Sequence, residues 1–445
     1  MNDIFRYHKI RLSNAAIRSF CIAACLCAFI LPGTASAEQV KLTSEIEVSN
    51  VSNPLDEDGE YQSWIGAARA AHEAKDWPEV ERLVLKIMVR EEQALGPVNT
   101  EVLGSLANLA EALEGQGKYD EALTIYRKAL ELSRKAQGEK HPYTLNMQFL
   151  VGHTLHELGH LQEALTVFQQ VLELYRDVRG AGHPDTLASM RTTAYTLNEL
   201  GRFEEALAIF QEELKLSRKI LGDEAPQTLS AMRQTSIVLG SLKREQDAIT
   251  LSKQVLELRR KFQGDKHPET LDEMFWLAFQ FQNFGRHADA LALREQELAL
   301  RRKIEGDEHP DTLTAMVMVA RSLSDLRRFQ EALALTRKEL ELRRRVQGNE
   351  HPQTLGSMNR MSNFLMILGL EDEALEFRKR VLEITRMREG EEHPDTLTAM
   401  GQVAIFLAQV YRQDEALKMR LLMLDLQRKV LGEDHPDTLN LMSLI

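Results

Sequence analysis

Glycine recurs every 42 residues along almost the whole chain: Gly96, Gly138, Gly180, Gly222, Gly264, Gly306, Gly348, Gly390 and Gly432. Proline keeps the same interval from Pro142 to Pro436, and alanine keeps it from Ala122 to Ala416. Three ladders in one register mean that one supersecondary unit is repeated in tandem. Such an array escapes the prior of about three globular domains that 445 residues would otherwise suggest.

One unit, Pro184 to Gly222, shows what is repeated. Leu187, Met190, Ala194, Leu197 and Leu200 recur at steps of three and four, which places one apolar stripe on a first helix. His183 stands at the N-cap, Pro184 at the first helical position and Asp185 in the first turn. Proline lacks the N–H that would go unpaired there, and an acid suits the positive end of the helix dipole. Gly201 breaks the helix. Phe203, Ala206, Leu207, Ile209, Phe210 and Leu214 then open a second apolar face, which runs to Arg218-Lys219 and stops at Gly222. Ala206 is small where two helices cross. The unit is therefore a helical hairpin, with helices of about 14 and 18 residues by this reading. No single hairpin can shield its stripe, so neighbours must stack into a superhelix with a concave and a convex face. A divergent first unit covers Glu60–Gly96, giving nine hairpins over residues 60–445. A tenth begins at Asp434 and stops at Ile445.

Before the array the chain reads differently. Arg6, Lys9, Arg11 and Arg18 precede an apolar run, Ser19–Leu31, and Pro32 to Ala37 is rich in small residues. This is the pattern of an export signal over residues 1–37, cleaved near Ala37. Ile22-Ala23-Ala24-Cys25 loosely resembles a lipoprotein signal, but the apolar run continues past Cys25. Thirteen residues are too few to span a bilayer, which takes about 20. The mature chain is thus expected to carry no membrane span and to lie in the periplasm or outside the cell. All three cysteines fall inside the signal, so the mature chain has no disulfide and no thiolate chemistry. Removing four basic residues and one acid moves the net charge from −12 to −15, a poor match for nucleic acid or anionic membrane. Residues 38–59 have no helical period and read as a flexible acidic leader.

The string Gly180-Ala181-Gly182-His183-Pro184-Asp185-Thr186-Leu187, followed by Leu200-Gly201-Arg202-Phe203-Glu204-Glu205-Ala206, resembles tetratricopeptide repeats (TPR) of the kinesin-light-chain type. The resemblance covers nearly all of residues 60–445. It implies an all-α, right-handed superhelical solenoid of tandem helix-turn-helix hairpins whose concave groove, lined by first helices, holds a peptide segment of another protein. No heptad coiled coil precedes the array and an export signal does, so the motor role of that family is not carried over.

If stacking fixes the recurring positions, binding falls where the pattern varies on the first helices. Two such ladders are Phe149, Arg191, Arg233, Phe275, Val317, Asn359 and His153, Tyr195, Ile237, Phe279, Arg321, Asn363. Residues four apart share a helix face. Phe275, Trp276 and Phe279 would make an aromatic platform, flanked by Arg191, Tyr195 and Arg233 on one side and by Arg321, Asn359 and Asn363 on the other. An extended peptide with an apolar anchor and carboxylates would suit them. The competing reading is that the aromatics thicken the core and the arginines pair with local acids. Arginines at the ends of the second helices, from Arg134 to Arg428, recur in every unit and are read as structural caps facing acidic loops.

Catalytic readings are weak. His156-Glu157-Leu158-Gly159-His160 matches the zinc-protease string His-Glu-x-x-His, which needs an unbroken helix to put both histidines on one face. Here Leu158-Gly159 is the recurring terminator, which places His160 in the turn. The loop histidines, one per unit, sit roughly 10 Å apart in consecutive repeats and are expected to be caps rather than a shared metal site. No phosphate loop, nucleophile elbow or paired-carboxylate site stands out, so no cofactor is expected. The sequence therefore favours a non-catalytic scaffold with a protein or peptide partner. The alternative is a recognition module of a larger, protease-associated or signalling assembly, whose chemistry lies on another chain or on sequence beyond Ile445.

Overall fold

The computed structural model describes Leu55 and residues 59–445. The export signal expected over 1–37 and nearly all of the leader expected over 38–59 lie outside the described residues. The described residues are helical with no strand, and they fall into two units that meet between residues 242 and 243.

The first unit holds α1 (Glu60–Glu73), α2 (Trp77–Leu95), α3 (Thr100–Gly115), α4 (Tyr119–Gln137), α5 (Pro142–Glu157), α6 (Leu161–Arg179), α7 (Pro184–Glu199), α8 (Phe203–Leu221) and α9 (Pro226–Ser241). The second holds α10 (Glu245–Gln263), α11 (Pro268–Asn283), α12 (His287–Ile304), α13 (Pro310–Asp325), α14 (Phe329–Gln347), α15 (Pro352–Ile367), α16 (Glu371–Glu389), α17 (Pro394–Gln409), α18 (Gln413–Leu431) and α19 (Pro436–Ser443). Within each unit every helix packs on the next one in the chain. First helices after the leading hairpin run 16 residues, except for the 8 of α19, and second helices run 19, or 18 in α12. Both are within two residues of the lengths that the apolar stripes suggested.

The repeat motif acts through the backbone. Seven N-cap histidines, from His141 to His435, accept the N–H two residues on through Nδ1, at 3.2–3.3 Å. This occupies a donor that the first helical turn leaves over. In the fifth repeat Ala225 stands in the histidine's place and offers no side-chain cap. The motif threonine is fully buried in every unit from Thr144 to Thr438. In two of them it reaches back to the loop glycine, with Thr186 Oγ1 donating to Gly180 O at 2.8 Å and Thr396 Oγ1 to Gly390 O at 2.7 Å. The glycine inside each hairpin turn is left-handed, as at Gly201 (φ 75°), yet Lys75, Lys243, Arg327 and Tyr411 hold the same turn position at φ 57–61°. Side chains there cost about 1 kcal/mol each, which stacking on both sides offsets.

The core is a chain of small clusters between successive helices. Ala122, Ala164 and Ala206 are completely buried where helices cross. In α5, a Cβ on Gly152 would stand 2.7 Å from the Phe168 ring, so that crossing admits glycine alone. Arginines at the ends of the second helices pair with the acid just beyond the loop glycine: Arg134 with Glu139 at 2.7 Å, Arg218 with Asp223 at 2.9 Å, and Arg302 with Asp307 at 2.8 Å. They close the loops, as their recurrence in the sequence suggested.

Candidate functional site

The two variable ladders lie on the first helices, and the two units use them differently. In the first unit they are tied into the packing. Phe149 leans on Phe168 with ring centroids 5.4 Å apart. Tyr195 meets Phe210 edge-on at 5.5 Å, and burial pushes its hydroxyl up to about 12. Arg191 Nε donates to Glu213 Oε1 at 2.9 Å, and a second nitrogen of the same guanidinium donates to the same oxygen. Glu213 has no exposed surface, and its burial raises the carboxyl despite the arginine beside it. Arg191 is thus the counter-charge of a core carboxylate, while Arg233 is half-buried near Tyr195.

In the second unit Arg321 and Asn363 are exposed, and the other ladder positions are half-buried, as all but the buried His153 are in the first unit. Phe275, Trp276 and Phe279 on α11 are half-buried and form one cluster, with Trp276 edge-on to Phe275 at 6.2 Å and to Phe279 at 5.7 Å. Arg321 on α13 is exposed and makes no ion pair or hydrogen bond among the described residues. On α15, Asn363 is exposed and accepts from Arg378 Nη2 at 2.7 Å, whereas the buried Oδ1 of Asn359 has no partner among the described residues.

Beneath this face lies a residue that the ladders did not flag. Arg294 on α12 is 2% exposed and donates to Ser322 Oγ at 2.6 Å, Gln282 Oε1 at 2.6 Å and Met318 O at 3.2 Å. Burial, with a smaller push from Arg321, lowers its pKa to about 10. Arg378 on α16 is its counterpart two repeats on, stacked over Phe406 at 5.0 Å. The signal was present in the sequence: these arginines stand 42-residue steps from Tyr126, Phe168 and Phe210.

The zinc-protease string is dismantled by its helix end. α5 stops at Glu157, Gly159 turns left-handed at φ 79°, and His160 becomes the N-cap of α6. His156 points instead toward Glu199, with Nε2 2.9 Å from Oε2 but off the hydrogen-bond line. One group of potential metal ligands gathers among the described residues, with Glu305, His309 and Asp311 atoms within 4.8 Å of one another. His309 Nδ1 already caps α13, and Arg301 stands 3.7 Å from Glu305 and 3.4 Å from Asp311, so this is an internal ion cluster. No helix among the described residues is long and apolar enough to cross a membrane.

Successive hairpins that share their caps, loop glycines and crossing alanines define a helical-repeat protein. Tetratricopeptide-repeat models match residues 101–177, 161–218, 185–261 and 270–345, and a second model of the same repeat matches 354–395 and 396–437. These matches cover more than half of the chain, which belongs to the tetratricopeptide repeat family. The His-Pro loop and the long second helix give its units their likeness to kinesin-light-chain repeats. Among solved structures, nearly identical kinesin-light-chain TPR-like repeats from Podosopora anserina share 26% identity over 46% of this chain and 98% of that one, at a TM-score of 0.43. A tetratricopeptide repeat protein from Parabacteroides merdae shares 17% over 63% and 93%, also at 0.43. The apo form of RapI shares 11% over 83% and 98%, at 0.52, a likeness of fold alone. No curated protein matches the chain.

Proposed function

We propose that the chain is a non-catalytic scaffold, working outside the cytoplasm, that holds a peptide segment of a partner protein along the first helices. The observation that carries this reading is the contrast at one pair of ladder positions. The crossing alanines, the buried threonines and the loop glycines keep the same residue in repeat after repeat. On α11 and α13 the variable positions offer an aromatic cluster and, at Arg321, an exposed cation without a partner among the described residues. Aromatic anchors and free arginines carry most of the energy in protein interfaces. An extended peptide with an apolar side chain and a carboxylate would satisfy both.

The test is capture of partners from a cell-envelope extract by the purified protein and by Phe275→Ala/Phe279→Ala/Arg321→Glu. Loss of the captured partner, with the helical circular-dichroism signal intact, is the expected result. Undiminished capture would remove this site. The location is tested separately, by mass spectrometry of the N-terminus in fractionated cells. A chain beginning at Glu38 in the envelope fraction is expected, and one that retains Met1 in the cytoplasm would overturn it.

A further inference from the structure

The outer face of α18 departs from every other second helix in this protein. Leu421 and Leu422 are 44% and 46% exposed. The same two positions are exposed in all the second helices, and from α4 to α16 they carry polar pairs such as Arg127-Lys128, Gln211-Glu212 and Lys379-Arg380. They stay exposed in helices that a further hairpin follows, so stacking does not reach them. In α18 alone both are leucine. Asp414, Lys418, Leu421, Leu422, Asp425, Arg428 and Lys429 are all exposed on this helix, at steps of three and four that make one continuous stripe.

The order of charge along that stripe names its occupant. Reversed end for end about the Leu421–Leu422 bond, the helix lays each residue on its complement. Leu421 meets Leu422. Lys418 meets Asp425, Glu415 meets Arg428, and Asp414 meets Lys429. Every charge on the stripe finds its opposite and the centre is apolar. A twofold-symmetric contact has this property by construction, because one patch must complement itself. Lys418 and Asp425 make no ion pair or hydrogen bond within the chain among the described residues, whereas Lys429 pairs with Glu392, Glu415 with Arg412 and Arg428 with Glu433. We infer that α18 is a self-association surface, where two copies of this chain pair their α18 helices antiparallel across a twofold axis through Leu421 and Leu422.

One pair of helices buries less than a standard interface of about 800 Å² per partner, so the dimer belongs to the weak, reversible class. Sedimentation velocity on the full chain, from about 1 to 200 μM, is expected to show a monomer–dimer equilibrium that weakens as salt is added. Leu421→Glu/Leu422→Glu is expected to be monomeric throughout, with its circular-dichroism spectrum and thermal midpoint unchanged, because both side chains are exposed.

Charge reversal then fixes the register. Lys418→Asp sets like charges against each other at two symmetric places and is expected to weaken the dimer about tenfold or more. Asp425→Lys is expected to do the same. Combining both substitutions in one chain, or mixing the two single variants, restores the pairing to within about threefold of the wild type. A chain that stays monomeric across the range overturns the inference. So does a dimer indifferent to the leucine substitutions, or a double charge reversal that fails to recover.

Discussion

The two units share one backbone plan and fill the same slots with opposite chemistry. On the second helices of the first unit, Tyr126, Phe168 and Phe210 close the core with rings that are almost completely buried. One period apart in the second unit the same ladder reads Ser252, Arg294, Thr336, Arg378 and Arg420. A second ladder runs Glu91, Ser133, Tyr175 and Ser217 in the first unit and Arg259, Arg301, Arg343, Thr385 and Gln427 in the second. These arginines are held by acids and amides: Arg259 by Glu269 and Gln263, Arg301 by Glu297, and Arg343 by Glu339. A stacked hairpin fixes where side chains meet but leaves open whether a ring or a hydrogen-bonded guanidinium fills the space. The first unit uses that freedom for packing. In the second it admits guanidinium groups held by acids and amides.

The comparison breaks most clearly at Phe168 and Arg294. Phe168→Ala removes a buried ring packed against Gly152 and Phe149 and should cost about 3–5 kcal/mol. Arg294→Met fills the same slot of the other unit with an apolar chain of similar length. It gives up three hydrogen bonds but relieves the burial that lowers the arginine's pKa, so its net cost should stay below about 1.5 kcal/mol. Repeat arrays unfold locally as well as globally, so hydrogen exchange read separately over α5–α7 and over α11–α14 is the suitable measurement. Equal losses of protection in the two regions would show that the arginine slot is as essential to packing as the aromatic one.

Arg191 sharpens the contrast at somewhat lower cost. Arg191→Ala leaves the Glu213 carboxylate in the core without its counter-charge, and urea unfolding should report a loss of about 3 kcal/mol. Replacing both partners, as Arg191→Met/Glu213→Leu, should recover most of it. Arg321→Ala, by comparison, should leave stability within about 0.5 kcal/mol, since that side chain is exposed and unpaired. If Arg191→Ala were silent, the first unit's arginine would be as free as the second unit's, and the distinction between the two ladders would disappear.

Much of this was legible in the sequence because the repeat averages out local ambiguity. The hairpin, its histidine cap, the left-handed turn and the loop-closing arginines follow from residue types that recur for backbone reasons. The ladder residues were harder, since a position on a first helix states which face a residue occupies but not what reaches it from the second helix. Glu213 is the case in point. It lies 22 residues from Arg191, in a slot that is Val171 one repeat earlier and Val255 one repeat later, so an acid there reads as a solvated charge until the packing shows it enclosed. Arg294 is hidden for a related reason: an arginine on a second helix reads as a solvated charge until the packing shows it enclosed in the slot that Tyr126, Phe168 and Phe210 fill in earlier repeats. The aromatic cluster of α11 did come together, because residues one and four apart on a helix are neighbours whatever surrounds them.

The smallest expected effect tests how the first unit keeps a buried acid without an arginine. Glu91 accepts from Tyr61 Oη at 2.7 Å and from Ser105 Oγ at 2.6 Å, two hydroxyls and no cation. Burial is the largest influence on its carboxyl and raises it, with the hydroxyls pulling the other way. A carboxyl raised in the folded state favours folding when protonated. Its contribution is therefore complete below the unfolded value of about 4.3 and is lost as pH climbs through the higher folded value. Glu91→Gln removes the ionisation while keeping an oxygen and an amide for the two hydroxyls. At pH 7–8 the variant should match the wild type or exceed it by up to about 1 kcal/mol, and that advantage should vanish on acidification toward pH 4. Hydrogen exchange of α1 and α2 across that range measures the difference at its source. A wild type that loses stability relative to the variant on acidification would mean that Glu91 is held ionised, and the first unit would then stabilise a buried charge with hydroxyls where the second relies on guanidinium.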